Sequence, residues 1–220
     1  MSPSFFISES VKNLGIFSEF IPFENLVNRK SNPHLDSIKQ QLFKQCLIEY
    51  IELSFDADPV LQGYRDAREK LETPGYKHSP SPEKLINLLL KRKELPTINL
   101  LVDICNCVSL ESRLSIGIHQ LDKIANQVNL ALTKGDELFI PLGSKKTANI
   151  AAGEFAYIDD ENNVLCRFDS AQCDHTKVTE ETVGCLIIVQ GNSNTSPEYV
   201  QQAVNKITGL VEKFCRKIKP

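Results

Sequence analysis

Apolar residues in the first half of the chain recur at helical spacing, whereas in the second half they gather into short runs. Over residues 33–55, Leu35, Ile38, Leu42, Cys46 and Ile51 fall near a 3.6-residue period, which predicts an amphipathic helix. A second helix is predicted over PVLQGYRDAREKL, residues 59–71. In SPSPEKLINLLLKRKEL, residues 79–95, Ser81 is placed to cap a helix that has Pro82 and Glu83 in its first turn. Another helix follows in residues 96–112, with Thr97 as its cap and Leu100, Ile104 and Val108 along one face. Ahead of these helices, residues 5–7 (FFI) and 16–23 (IFSEFIPF) read as strands, the second alternating apolar and polar. The second half changes period. IGIHQLDKI, VNLALT, ELFIPL, EFAYI, VLCRF and CLIIV are β-type runs punctuated by Gly, Asp and Asn, with DDENN at 159–163 as a hairpin turn. A last amphipathic helix is predicted over 197–218. The expected class is α/β or α+β, a mixed β-sheet flanked by helices, with a helical first half and a strand-rich second half. No repeat, low-complexity stretch or linker divides the chain, so residues 1–220 read as one domain.

Composition narrows the class without naming a function. The chain has 220 residues, 41% hydrophobic and 24% charged, with a net charge of −3, so no overall basic surface for gripping duplex nucleic acid is expected. Lys91, Arg92 and Lys93, and Lys213 to Lys219, are local basic clusters that read either as solvated helix ends or as patches. Seven cysteines without regular spacing argue against a disulfide framework. Cys105 and Cys107 lie two apart on a predicted helix and face different ways, and no second pair completes Cys173 and His175 as a zinc site. No metal or cofactor is expected. The N-terminus lacks a basic start followed by an apolar stretch, and no run approaches the ~20 apolar residues of a membrane span, so a cytoplasmic protein is expected.

No Walker loop, dinucleotide fingerprint, nucleophile elbow or zincin motif is present. PLGSKK at 141–146 lacks the upstream glycine of a phosphate loop and reads as a turn. Candidate chemistry sits in three places. Asp103 and Asn106, three apart on a helix, share a face in an apolar stretch, and read either as a site or as local hydrogen bonding. In SIGIHQLDKI, a strand would send Gly117 and His119 to one face and Ile116 and Ile118 to the other, with His119 either structural or functional. The third is CDHTKVTEET, residues 173–182, a crowd of polar groups directly before the apolar run 186–189 and preceded by Arg167 and Asp169.

INLLVDICNCVSLESRLSIGIHQLDKI and VLCRFDSAQCDHTKVTEETVGCLIIVQG, in that order, resemble the editing and tRNA-binding module of the bacterial phenylalanyl-tRNA synthetase β subunit, its paired third and fourth B domains. Stand-alone proteins made of that module are still more similar, and the resemblance covers roughly residues 60–195. It implies a mixed sheet flanked by helices and a pocket that, in the synthetase, hydrolyses tyrosine wrongly attached to phenylalanine tRNA. Two departures stand out. The synthetase's pocket histidine aligns with Gly117, two residues before His119, and its pocket glutamate aligns with Ile188.

The expected activity is hydrolysis of a mischarged aminoacyl ester in trans; the alternatives are a module that binds RNA or a free amino acid without chemistry, and a polar network that only fixes the 173–182 loop. The partner is then a tRNA or aminoacyl-tRNA acceptor end, or an amino acid, and neither DNA nor a membrane. His119 would orient water, Asn106 and Asp174 would hold substrate or water, and Thr176 and Arg167 would order the loop. Lys177 would meet a phosphate, with Asp103, Gly117 and Glu180 completing the binding surface.

Overall fold

The computed structural model describes residues 3–71 and 79–216. Strands β1 (Ser4–Ile7) and β2 (Phe17–Phe23) flank a short helix, α1 (Glu9–Lys12). Four helices follow: α2 (Pro33–Tyr50), α3 (Pro59–Glu69), α4 (Ser81–Arg92) and α5 (Leu100–Ser112). The rest is β3 (Ser115–Gln120), β4 (Gln127–Leu132), β5 (Phe155–Asp159), β6 (Val164–Arg167), β7 (Ala171–Gln172), β8 (Cys185–Gly191) and α6 (Pro197–Phe214).

The strands form two sheets where one was expected. A five-stranded sheet has the order β1-β4-β5-β6-β7, with β1 parallel to β4 and the others antiparallel; a three-stranded antiparallel sheet has the order β2-β8-β3. The seven residues of β8 are all buried, which explains why its core is a continuous apolar run. Pro22 is tolerated in β2 because β2 is an edge strand. Between the sheets the Phe5 and Phe20 rings stack at 4.4 Å, and Phe20 meets Tyr157 edge-on. On the far side of the small sheet, Ile104 and Val108 of α5 and Ile207 and Val211 of α6 share one core with Ile118, Ile187 and Val189. A second cluster joins α2, α4 and α5 through Phe43, Tyr50, Ile86, Leu89 and Leu110. Cys105 belongs to the first cluster and Cys107 to the second, as their spacing on a helix requires.

Several expected boundaries move. The helix expected over 33–55 ends at Tyr50, whose hydroxyl donates to the Leu110 carbonyl, and Ile51 is 71% exposed. Ser81 is the first helical residue and not a side-chain cap; its Oγ lies 3.0 Å from Ser115 Oγ. Asn99, not Thr97, caps α5 by accepting the Val102 N–H at 3.1 Å, because the helix begins at Leu100; Thr97 Oγ1 instead accepts from Lys39 Nζ at 3.0 Å. Residues 137–142 form isolated bridges at Leu138 and Pro141, since Pro141 has no N–H to extend a ladder. DDENN does join β5 to β6, with Asp159 Oδ1 accepting the N–H groups of Glu161 and Asn163. Val200, Ile207, Val211 and Phe214 of the last helix are buried, and the helix ends at Phe214; residues 217–218, where it was expected to continue, lie outside the described residues.

Candidate functional site

Strand alternation on β3 puts Ser115, Gly117 and His119 on the face that looks toward the five-stranded sheet. There they enclose a cavity of about 10 Å³ with Tyr157, Cys166, Ile188 and Gln190. That volume suits about one water-sized group. His119 is fully buried, and burial holds its pKa down to about 3, so the imidazole is neutral at physiological pH. Its Nδ1 lies 2.7 Å from Thr176 Oγ1, while Nε2 has no hydrogen-bond partner. Glycine at 117 is what leaves room for that nitrogen, since a Cβ there would stand 3.3 Å from Nε2. The histidine that the family resemblance implies at this position is absent, and the His119 ring fills the neighbouring space.

Gln190 supplies the opposing polar group. Tyr157 Oη donates to Gln190 Oε1 at 2.6 Å, and Ser18 Oγ lies 2.7 Å from Tyr157 Oη. With its carbonyl so engaged, the amide nitrogen of Gln190 remains, and it too is buried without a partner. Two buried nitrogens thus belong to the lining of one small cavity, where an unmet polar group costs about 1–3 kcal/mol. Gln190 was not among the candidates from sequence. Its one signal there was to be the only polar side chain in CLIIVQG.

The polar loop is largely consumed by its own anchoring. Thr176, fully buried, contacts His119 and lies 3.0 Å from Cys173 Sγ, and its carbonyl accepts the Gln120 N–H at 2.7 Å. Asp174 accepts the Gly143 N–H at 2.9 Å and pairs with Lys177 at 2.9 Å, and these donors lower its pKa, Lys177 most. It clamps the 141–144 turn and does not line the His119 cavity. Asn28 and Asn99 donate to the Thr179 and Val178 carbonyls, and Thr182 Oγ1 accepts the Thr179 N–H. Glu180 is exposed on that turn, outside the cavities.

One larger hollow adjoins the cavity, and a second adjoins the first. A cleft of about 170 Å³ shares Ser115, Gly117 and Cys166 with it and adds Ser81, Asp169 and Gln172. Asp169 is 1% exposed and ion-paired to Arg68 through Oδ1; its Oδ2 accepts no hydrogen bond. Beyond Ile116, Leu142 and Gln172, which the cleft and the next hollow share, lies a groove of about 310 Å³ between α5 and the other face of β3. Asn106 and Lys177 line this groove. Two candidates lie elsewhere. Asp103 forms a buried ion pair with Lys39 at 2.5 Å and accepts the Ile98 N–H, tying α5 to α2. Arg167 engages Glu154 through two nitrogens, across the β5–β6 hairpin from the loop that it was expected to order. Among the described residues, no three His, Cys, Asp or Glu side chains gather to hold a metal ion, and no helix is long and apolar enough to cross a membrane.

The model of the B3/4 domain family matches residues 73–216, about two thirds of the chain. The chain belongs to the B3/4 domain family. The B3/4 chain also aligns with the crystal structure of an N-terminal fragment of the phenylalanyl-tRNA synthetase β-subunit from Pyrococcus horikoshii, with a TM-score of 0.52 and 18% identity. That alignment covers 97% of this chain and 49% of the fragment, so the chain spans about half the fragment's length. At this identity the likeness establishes the fold alone. No curated protein sequence matches the chain. Within the B3/4 fold, the geometry offers a neutral imidazole nitrogen and an amide donor on one small cavity, beside a cleft of about 170 Å³.

Proposed function

We propose that this B3/4 protein binds the aminoacyl end of a tRNA and hydrolyses mischarged aminoacyl esters in trans. The observation that carries the reading is the convergence of His119 Nε2 and Gln190 Nε2, both buried and unpartnered, on one cavity beside the cleft. In this reading the cleft receives the aminoacyl group and the cavity holds the attacking water. Nδ1–H of His119 donates to Thr176, Nε2 accepts a proton of the water, and the Gln190 amide donates to its oxygen. A side chain with a pKa of about 3 is too weak a base to carry the proton away, so His119 is assigned orientation only. Water adds to the ester carbonyl, the bond to the ribose oxygen breaks, and a proton from the water ends on that oxygen. An aminoacyl ester is already activated, so orientation of the nucleophile accounts for useful acceleration.

Single-turnover deacylation over a panel of mischarged tRNAs tests this. At least one ester should be hydrolysed, and His119→Ala and Gln190→Leu should each slow it by about tenfold to 100-fold with melting behaviour retained. One observation favours a second reading, a non-catalytic module that binds RNA or an amino acid: the His119 cavity is about 10 Å³, with no charged group on its walls. A protein that binds tRNA yet leaves every ester intact would establish that second reading.

A further inference from the structure

We propose that the groove behind β3 is a nucleoside pocket that takes the 3′-terminal adenosine, with Asn106 reading the base edge and Lys177 meeting the adjacent phosphate. The inference rests on the aminoacyl-tRNA reading, because the terminal nucleoside of every tRNA is adenosine, but it concerns a different face of β3 and different residues.

Three observations lead to it. The groove, about 310 Å³, has the size of a small-ligand site and walls fit for a flat ring: Val102 on one side, Ile116 and Ile118 on the other. Two rim residues, Ile98 and Leu142, are 42% and 57% exposed, and a docked base would cover both. Asn106 stands among them, half-buried, and makes no side-chain hydrogen bond among the described residues. A carboxamide has one donor and one acceptor edge to edge, the pattern that pairs with the amino group and ring nitrogen of adenine. Gln172 donates to the Ile118 carbonyl at 2.6 Å, which leaves its own carbonyl to accept from a ribose hydroxyl.

The charge lies where a phosphate would arrive. Lys177 is exposed, and its pair with Asp174 is a surface one of small worth, so a phosphate competes for the ammonium. Because Ile116, Leu142 and Gln172 belong to both groove and cleft, a nucleoside in the groove sends its ribose ester toward the cleft. The apolar walls and the neighbouring cleft are thereby given one extended ligand.

The full chain is titrated with AMP, adenosine and CMP while side-chain amide and methyl resonances are followed by NMR. AMP is expected to shift the Asn106 amide and the Ile116 and Ile118 methyls, with CMP at least about tenfold weaker. Adenosine should bind more weakly than AMP, and Lys177→Ala should remove that difference. Asn106→Leu, close in volume, should weaken AMP about tenfold with the melting temperature kept; Asn106→Asp serves if the leucine variant does not fold. Absence of shifts in the groove at millimolar AMP, or equal affinity of parent and Asn106 variant, overturns the proposal. AMP binding in the groove without deacylation of any ester leaves it standing and removes only the hydrolytic reading. Deacylation with no AMP response and an unchanged KM in the Asn106 variant removes this proposal alone.

Discussion

His119 shows how little a residue's type reveals until its surroundings are known. Its position on the Gly117 face follows from strand alternation, yet its titration is set by burial, which holds the imidazole near pKa 3. Unfolding exposes the ring and restores an ordinary value near 6.5. Below about pH 6.5 the unfolded chain therefore binds a proton that the folded chain refuses. Stability should be full above pH 6.5 and fall as pH drops toward 3, by about 1.4 kcal/mol per pH unit from this group. Urea unfolding between pH 7 and 4 should accordingly be steeper in pH for the parent than for His119→Asn. Equal slopes would mean that the ring is protonated in the folded state. Asp174 illustrates the opposite case, a residue whose charge looked like chemistry and whose atoms are spent on Gly143 and Lys177.

Among the elements, the α2–α5 junction joins an apolar cluster to a buried ion pair. Lys39 and Asp103 have side chains 5% and 2% exposed, so neither charge can turn to water. Asp103→Ala leaves the ammonium only Thr97 Oγ1 at 3.0 Å and the more exposed Asp36 at 3.5 Å, and should destabilise the fold by about 3 kcal/mol. Joint replacement as Lys39→Met with Asp103→Leu should recover most of that loss, because a buried ion pair contributes little over well-packed apolar groups. Denaturant midpoints of the single and double variants decide it, and a single-variant loss below about 1 kcal/mol would contradict this role. The helical periodicity predicted these elements well, since Leu100, Ile104 and Val108 are all buried. Their ends were less legible: α5 begins at Leu100, so Asn99 is its cap, and Thr97 accepts from a lysine of another helix.

Across the whole molecule, a net charge of −3 constrains how any RNA can be held. Affinity for tRNA, which belongs to the proposed function, should rest on two or three phosphate contacts near Lys177. The logarithm of the binding constant should then fall with the logarithm of salt at a slope of about −2. Titrations at low and moderate salt measure the slope. A slope near −6 would point instead to a broad basic surface and away from the groove. The architecture on which this depends is two sheets with α5 and α6 packed on the outer face of the smaller one.

Local geometry let the amino-acid sequence determine much of this by itself. Side chains two apart on a strand share a face and residues three or four apart share a helix face, so Gly117 stood with His119, and the burial of β8 was visible as an apolar run. Only the tertiary structure decided which distant residues meet those faces. Gln190 faces His119 because β8 lies between β2 and β3, and its amide is turned toward the cavity because Tyr157 of the other sheet holds its carbonyl. Asp103 became structural because α2 brought Lys39 to it. Arg167 turned to Glu154 because β5 and β6 pair. Such partners are separated by tens of residues, and their meeting is set by long-range strand pairing and core packing, which leave no periodic mark in either segment.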